Sequence, residues 1–437
     1  MRIGIVPALD SSSGGIYQYT LTMLQTLDQW HAGESDDEFV VFPWGAQHDA
    51  LSHLTPPMWT VQPLPSPPIA RGRLDMLRRL VGEGPHRDAW RRLRGRVTPP
   101  PRKDPEDVTF RPEMNRLFRD SDVKFLVYPM PHSLCFEAAV PYLMAIHDIQ
   151  HRLQPEFPEV SSNGERESRE YCLRNGSRYA TLLLADSEVG REDILNFYGC
   201  YGVTPDRVKV LPFLPASYLA VDVGEAERCR VRSVYGLPAH YIFYPAQFWP
   251  HKNHIRVVQA LGLLRHEQNL RIPIVLCGSH SGEIRKRVYQ QTMSLIARLG
   301  LRADVHYLGY VPERDMSAIY AQATALVMPT FFGPTNIPVP EAWSFGCPVL
   351  TSSIRGIREQ AEDAAVLVDP RSIESIAEGI RRIWVDEQLR ASLVERGYRR
   401  LASYTPKDYR RRLRDILAEA KMRAASETLR FGAHRRT

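Results

Sequence analysis

Short continuous apolar runs alternate with longer stretches of helical spacing along most of this chain. In the first half the runs fall at residues 2–7, 40–42, 124–128 (KFLVY), 142–146 (YLMAI), 182–185 and 208–215. In the second half they fall at 241–244 (YIFY), 274–277 (IVLC), 305–309, 325–328, 348–350 and 366–368. Runs of four or five apolar residues without alternation read as strands covered on both faces. Between them, residues 16–27 and 166–180 repeat apolar positions at helical spacing, Ser187 caps a helix that opens with acidic residues, and Ile255, Val258 and Leu261 mark one face of another. Strand, helix, strand in this order builds a parallel sheet with helices on both sides. The two halves share that architecture and no sequence repeat. The chain therefore reads as α/β: two doubly wound domains over 1–220 and 221–408, then a basic helix and tail over 409–437, disordered after Leu429.

Length and composition fit this picture. A chain of 437 residues exceeds one ordinary core, and 43% hydrophobic with 24% charged residues is typical of a globular protein. No apolar run approaches the roughly 20 residues needed to span a bilayer. The start MRIGIVPALDSSSGG is a strand and a turn rather than a secretion signal, and the six cysteines are scattered without a C-x-x-C pair, so the expectation is a cytoplasmic protein with reduced thiols. The net charge of +6 allows nucleic acid, anionic lipid or phosphate-bearing substrates. Residues 65–119 change character, with proline clusters and a dense set of arginines interleaved with Leu74, Leu77, Leu80 and Trp90. That mixture predicts a basic amphipathic insertion docking on anionic headgroups at the inner membrane face, the alternative being a solvated arginine-rich insertion. Regularly spaced stacking aromatics are lacking, which argues against nucleic acid as partner.

Candidate chemistry gathers where strands end. Ligands of doubly wound sheets bind beyond the carboxyl ends of the strands. His147 and Asp148 follow the strand at 142–146, so Asp148 could orient the imidazole or act as a base toward an acceptor hydroxyl; His151 is close by. Gly14 and Gly15 make a tight turn feeding a helix N-terminus, an anion site in outline. Lys252 and Asn253 open the helix after strand 241–244, and a lysine at a helix start is misplaced against the dipole unless an anion sits there. In VMPTFFGPTNIPVPEAWSFGCPVLTSS, residues 327–353, Glu341 lies in the first turn of a helix between two buried strands, as a helix cap or as an acceptor for ligand hydroxyls.

These last two stretches resemble retaining glycosyltransferases of family 4. The family's E-G-F-G-L-P-x-x-E-A-M-A-x-G-x-P-V pattern is matched at Asn336, Ile337, Pro338, Glu341, Ala342, Gly346, Pro348 and Val349, with Gly333 in place of the first glutamate. Its G-R-x-x-x-x-K-N pattern is matched at Lys252 and Asn253, with Ala246 and Gln247 in place of Gly-Arg. The resemblance implies a GT-B fold, two facing Rossmann-like domains with the active site in the cleft between them. It implies transfer of a hexose from a nucleotide diphosphate sugar to a glycan or lipid-linked acceptor, with retention at the anomeric carbon. In that reading Glu341 holds the ribose, Lys252 the departing diphosphate, and His147 the sugar. Asn336 and Ile337 supply loop backbone near the phosphates, and Gly14, Gly15 and Tyr17 line the cleft. Gln247, Asn253, Gly278, Tyr310, Thr335 and Pro338 complete the donor site. The segment P-T-N-I-P-x-x-E-A-W is similar to a mannosyltransferase-like branch, which makes GDP-mannose the first donor expected. No D-x-D motif is suitably placed, so no obligatory metal is expected. A catalytically weakened glycan- or nucleotide-binding relative and a sugar-nucleotide epimerase of the same fold are the alternatives.

Overall fold

The computed structural model describes residues 1–10, 14–34, 37–45, 51–52, 54, 58–65, 108–216, 219 and 222–433. Most of the arginine-rich segment, as far as residue 107, lies outside them, and so does the membrane docking expected of it. Seven strands form the first sheet: β1 (Arg2–Ile5), β2 (Glu38–Val41), β3 (Trp59–Val61), β4 (Phe125–Tyr128), β5 (Tyr142–Ile146), β6 (Leu182–Ala185) and β7 (Val208–Val210). Six form the second: β8 (Ile242–Pro245), β9 (Ile274–Cys277), β10 (Val305–Tyr307), β11 (Ala325–Met328), β12 (Val349–Ser352) and β13 (Val366–Val368). The orders are β3-β2-β1-β4-β5-β6-β7 and β10-β9-β8-β11-β12-β13. Every neighbouring pair within the two sheets is parallel. In both sheets the order reverses between the first and fourth strands, β1/β4 and β8/β11. Each domain thus has one topological switch point, the position where such sheets open a crevice.

Alternate residues of each strand point to opposite faces, and both faces of the first sheet are covered. Ile3, Ile5, Phe125 and Val127 join one apolar cluster with Tyr19, Met23, Leu24 and Leu27 of the helix Gly15–Glu34. Leu126 and Tyr128 join the other, with Phe118, Tyr171, Leu173 and Ile194 from helices Pro112–Asp120, Glu165–Tyr179 and Glu188–Tyr198. Double coverage is why these strands read as unbroken apolar runs. The second sheet and its helices form a single further cluster, which takes in Ala216, Leu219 and Val223 from the connecting segment.

The long helix Pro406–Ala433 returns to the first domain, where Tyr409, Leu413, Leu417 and Ala420 enter the same cluster as β1. Ion pairs Lys421–Asp37 (2.6 Å), Lys209–Glu419 (2.8 Å) and Arg423–Asp206 (2.7 Å) fasten its outer side. The helix continues through Ala433, past Leu429 where the sequence predicted a disordered tail, because regular backbone hydrogen bonding extends beyond the last packed turn. Strand β3 and the helix Pro112–Asp120 have no counterpart in the sequence reading, which placed residues 112–119 in the insertion. All six cysteines are free. Among the described residues, no helix is long and apolar enough to cross a membrane.

Candidate active site

The two switch points face each other. Gly14 and Gly15 follow β1, and a side chain at Gly15 would stand 3.3 Å from Ile337 of the second domain, one at Gly14 3.5 Å from Gln247 Nε2. Gln18 Nε2 donates to Glu313 Oε1 at 3.0 Å, and Tyr17 feels Glu313 and Tyr310. Tyr310 is 72% exposed, so its ring is open at the edge of the cleft. Further around, Glu159 accepts from His251 N (3.0 Å) and lies 2.7 Å from its Nδ1, and Gln154 Nε2 donates to the Phe331 carbonyl at 3.2 Å. Glu359 of the second domain takes backbone N–H bonds from Glu188 (2.8 Å) and Val189 (2.9 Å), a carboxylate set on the positive end of a first-domain helix.

The loop after β8 carries Lys252 in a tight 3-10 turn, Pro250–Lys252, one step ahead of the position its sequence predicted. The helix proper runs His254–Glu267 from Asn253, whose backbone is left-handed at φ 62°. Lys252 is part-buried, and burial outweighs the pull of Glu159 to bring its ammonium down to about 8. Among the described residues Nζ has no hydrogen-bond or ion-pair partner; His251 engages Glu159 Oε1, and Glu159 acts on the ammonium only through space. A desolvated cation without a direct partner at a switch point is suited to an anion.

Glu341 lies in the first turn of Pro338–Ser344, with Pro338 at the first helical position, where no N–H is needed. Its side chain is buried, and Oε2 accepts from the Tyr320 hydroxyl at 2.8 Å. Burial pushes the carboxyl up to about 7 against that single hydrogen bond. Among the described residues Oε1 has no partner, which leaves it as an acceptor for a ligand.

Several expected donor residues have structural duties instead. The Asn253 Nδ2 donates to the carbonyls of Pro329 (2.9 Å) and Pro370 (2.8 Å), tying together the loops after β11 and β13, while its Oδ1 is buried without a partner among the described residues. Gly278 has φ +133°, and a Cβ there would lie 2.4 Å from the Ala246 carbonyl oxygen: its requirement is close passage of the loop after β8. Asn336 cannot offer its backbone to phosphate, because its N–H and carbonyl are both taken by the Gln360 side chain, at 2.9 and 3.0 Å. The Thr335 hydroxyl and Asn336 Nδ2 are buried without a partner among the described residues. Gly333, at φ +122°, holds a backbone that disfavours a glutamate.

On the first-domain side, His147 Nε2 donates to the Pro129 carbonyl at 2.7 Å, and Nδ1 stands 3.2 Å from both oxygens of Asp186. The ring stacks on Phe213 and meets Tyr19 edge-on. Burial disfavours the imidazolium, but Asp186 and the Pro129 carbonyl outweigh it and raise the pKa. Asp186 therefore orients His147, and the adjacent Asp148 does not. Asp148 is held by Arg169 (2.8 Å) and the Gln150 N–H (3.0 Å), and despite burial the guanidinium keeps its carboxyl below the usual range, which makes it a poor base. Both ring nitrogens of His147 are engaged within the protein. His151 is buried against Glu170 and Tyr198, in the domain interior.

His147 and Asp148 line a cavity of about 540 Å³ between the domains, closed on the other side by Phe331, Phe332, Gly333 and residues 353–356. Lys252, Glu341 and Gln247 lie outside its lining. Sequence reasoning missed Asp186, Glu159, Tyr320 and Arg285. Arg285 Nη1 donates to Gln247 Oε1 at 2.6 Å, next to the turn that carries Lys252. None of these four sits at a recognisable spacing from its partner.

Comparison with known proteins follows the same architecture. Residues 233–400 match the profile of glycosyl transferases group 1. Over 269 residues the chain is 30% identical to O-antigen chain mannosyltransferase B of Escherichia coli, covering 61% of this chain and 66% of that one. It is 24% identical over 241 residues to the serotype-specific mannosyltransferase WbdA of Escherichia coli, covering 54% and 29%. The match spans a little under two thirds of the first relative and under a third of the second. Anabaena HepE, solved in complex with UDP and glucose, aligns over 96% of this chain and 99% of its own, with a TM-score of 0.67 at 16% identity. WaaG, a glycosyltransferase involved in lipopolysaccharide biosynthesis, aligns over 95% and 99%, with a TM-score of 0.62 at 15% identity. Those structures show that the protein has the GT-B fold, and the matched profile covers most of its second domain: residues 233–400 form a glycosyl transferases group 1 domain.

Proposed function

We propose that the protein transfers a hexose, with retention, from a nucleoside diphosphate sugar to a hydroxyl of a glycan or lipid-linked acceptor in surface-polysaccharide synthesis. The observation that carries this reading is the pairing of a desolvated ammonium without a direct partner, Lys252, with a buried, half-satisfied carboxyl, Glu341, in one switch-point crevice facing the glycine turn of the other domain. A nucleoside diphosphate sugar presents vicinal ribose hydroxyls to the carboxylate and phosphate charge to the ammonium. As the bond from the anomeric carbon to phosphate oxygen breaks, negative charge grows on the diphosphate, and Lys252 offsets it. The acceptor oxygen bonds to the anomeric carbon on the same face, and its proton passes to the departing phosphate oxygen. This route suits a site where Gly333 offers no nucleophilic side chain and Asp148 is held as an arginine-bound anion. The cavity bounded by His147, Asp148 and Phe332 is the compartment for sugar and acceptor.

Relatives named as mannosyltransferases favour GDP-mannose as donor, and HepE with UDP and glucose makes UDP conjugates the comparison to run. The arginine-rich stretch would hold the protein at an anionic membrane surface beside a lipid-linked acceptor. The test is thermal stabilisation by GDP, UDP, ADP and their sugar conjugates, for the parent, Lys252→Ala and Glu341→Gln, since a ligand of the folded state raises the melting temperature. One base should stabilise the parent and neither variant. No stabilisation by any nucleotide would overturn the reading; sugar-nucleotide turnover without acceptor would replace it with epimerisation.

A further inference from the structure

A nucleoside diphosphate carries more than one negative charge, and Lys252 supplies one positive charge. A second cation stands at the same strand end. Arg285 lies in the first turn of the helix Glu283–Arg298, which follows β9. Its Nη1 donates to Gln247 Oε1 at 2.6 Å, and its Cζ lies 4.7 Å from the centroid of the Trp249 ring. The Trp249 indole N–H donates to the same Gln247 oxygen at 3.0 Å. Gln247 and Trp249 thus hold the guanidinium from an edge and a face, and both belong to the loop that ends in Lys252. The direction is toward the cleft. Gln247 Nε2 stands 3.5 Å from where a side chain at Gly14 would begin, and the first-domain charge that Arg285 feels is Asp10, on the loop after β1. Among the described residues no carboxylate lies within ion-pair distance of Arg285. The hydrogen bond to Gln247 uses one of its five N–H donors, and a neutral amide oxygen does not compensate its charge.

We propose that Arg285 binds the donor diphosphate together with Lys252, with Gln247 and Trp249 as the rack that orients it and Asp10 as a nearby negative charge that opposes the ligand phosphate. A planar guanidinium can take two phosphate oxygens at once, and stacking on Trp249 fixes its plane before the ligand arrives. Gln247, which cannot itself carry charge, contributes by presenting a charge from another helix. The inference rests on the nucleotide-sugar reading above.

The experiment is calorimetric titration of the parent, Arg285→Ala, Arg285→Lys, Asp10→Asn and Lys252→Ala with GDP, UDP and the matching nucleoside monophosphates. Arg285→Ala should weaken the preferred diphosphate at least 10-fold and the monophosphate at least three-fold less than that, with Arg285→Lys between parent and Ala. Asp10→Asn should bind the diphosphate several-fold more tightly. If the parent binds a diphosphate and Lys252→Ala weakens it while Arg285→Ala stays within two-fold of the parent, this inference fails and the nucleotide reading stands. Equal weakening of mono- and diphosphate by Arg285→Ala, with a lower melting temperature without ligand, would assign the residue to packing and also overturn it. A parent that binds neither diphosphate removes both.

Discussion

Glu341→Gln should make the empty protein more stable while removing nucleotide binding. The carboxyl lies at about 7 against an ordinary 4.5, and only 4% of the residue is exposed, so solvent screens little of the effect. A shift of roughly 2.5 units at ~1.4 kcal/mol each is about 3 kcal/mol. The sign follows from proton counting. Between about pH 4.5 and 7 the folded protein holds a proton that the unfolded chain has released, so stability falls as pH rises through this window and the full cost is present above it. Glutamine is neutral throughout, keeps the shape, and offers an oxygen to the Tyr320 hydroxyl. The variant should match the parent near pH 4.5 and exceed it by about 3 kcal/mol at pH 8, roughly 6 to 12 °C for a domain of this size. Calorimetry at pH 5, 6, 7 and 8, following the transition of the second domain, measures it. A parent-to-variant difference that stays flat across pH would refute the reasoning, as would a variant less stable than the parent at pH 8. Added stability with lost binding marks a group kept for function.

Lys252 titrates at about 8, so diphosphate affinity should fall as pH rises through that value, and Lys252→Ala should lose about 10- to 100-fold at pH 7 with a flat profile; titrations at pH 7 and 9.5 test this. For His147, whose folded pKa is raised, the stabilisation by Asp186 is full at low pH and is lost as pH rises through that raised value. Asp186→Asn should therefore destabilise by a few kcal/mol at pH 6 and less at pH 9, and should lower the His147 midpoint seen by NMR; an unmoved midpoint would dismiss the pairing. Gly278→Ala should cost more than about 3 kcal/mol in denaturant unfolding, because its Cβ would lie 2.4 Å from a backbone oxygen. Gly202→Ala, also at positive φ but with nothing within 4 Å, should cost about 1 kcal/mol.

What the sequence made legible was local. Strands β5, β6, β9, β11 and β13 were readable to the residue because burial on both faces leaves unbroken apolar runs. Strand β3 was not, since three residues carry no period and Pro flanks hide them. At the site, Lys252 stood out because a lysine is misplaced against the dipole at a helix start, and Glu341 because of the motif around it. Their neighbours did not, because Asp186 is 39 positions from His147, and Arg285 38 from Gln247, and such partners are chosen by strand order rather than by spacing. The same reason explains the misassignment of Asp148: adjacency in the chain put it beside His147, whereas the turn after β5 swings it to Arg169. The structural duty of Asn253, joining two other loops through its Nδ2, was equally hidden, because it exists only in the folded sheet.

The helix Pro406–Ala433 has a consequence for the order in which the protein is made. Its Tyr409, Leu413 and Leu417 complete the core around β1, so the first domain is written in two separated pieces with the whole second domain between them. About 200 residues must be synthesised after β7 before that core can close, on the order of 10 s or more at ribosomal speeds of ~5–20 residues per second. During that time one apolar face of the first sheet is covered only in part, by the helix Gly15–Glu34, while the second domain, uninterrupted in the chain, can fold at once. The domain begun first is thus the one finished last, and an amber codon at position 406 should release a chain whose second domain is intact and whose first domain is bound by chaperones.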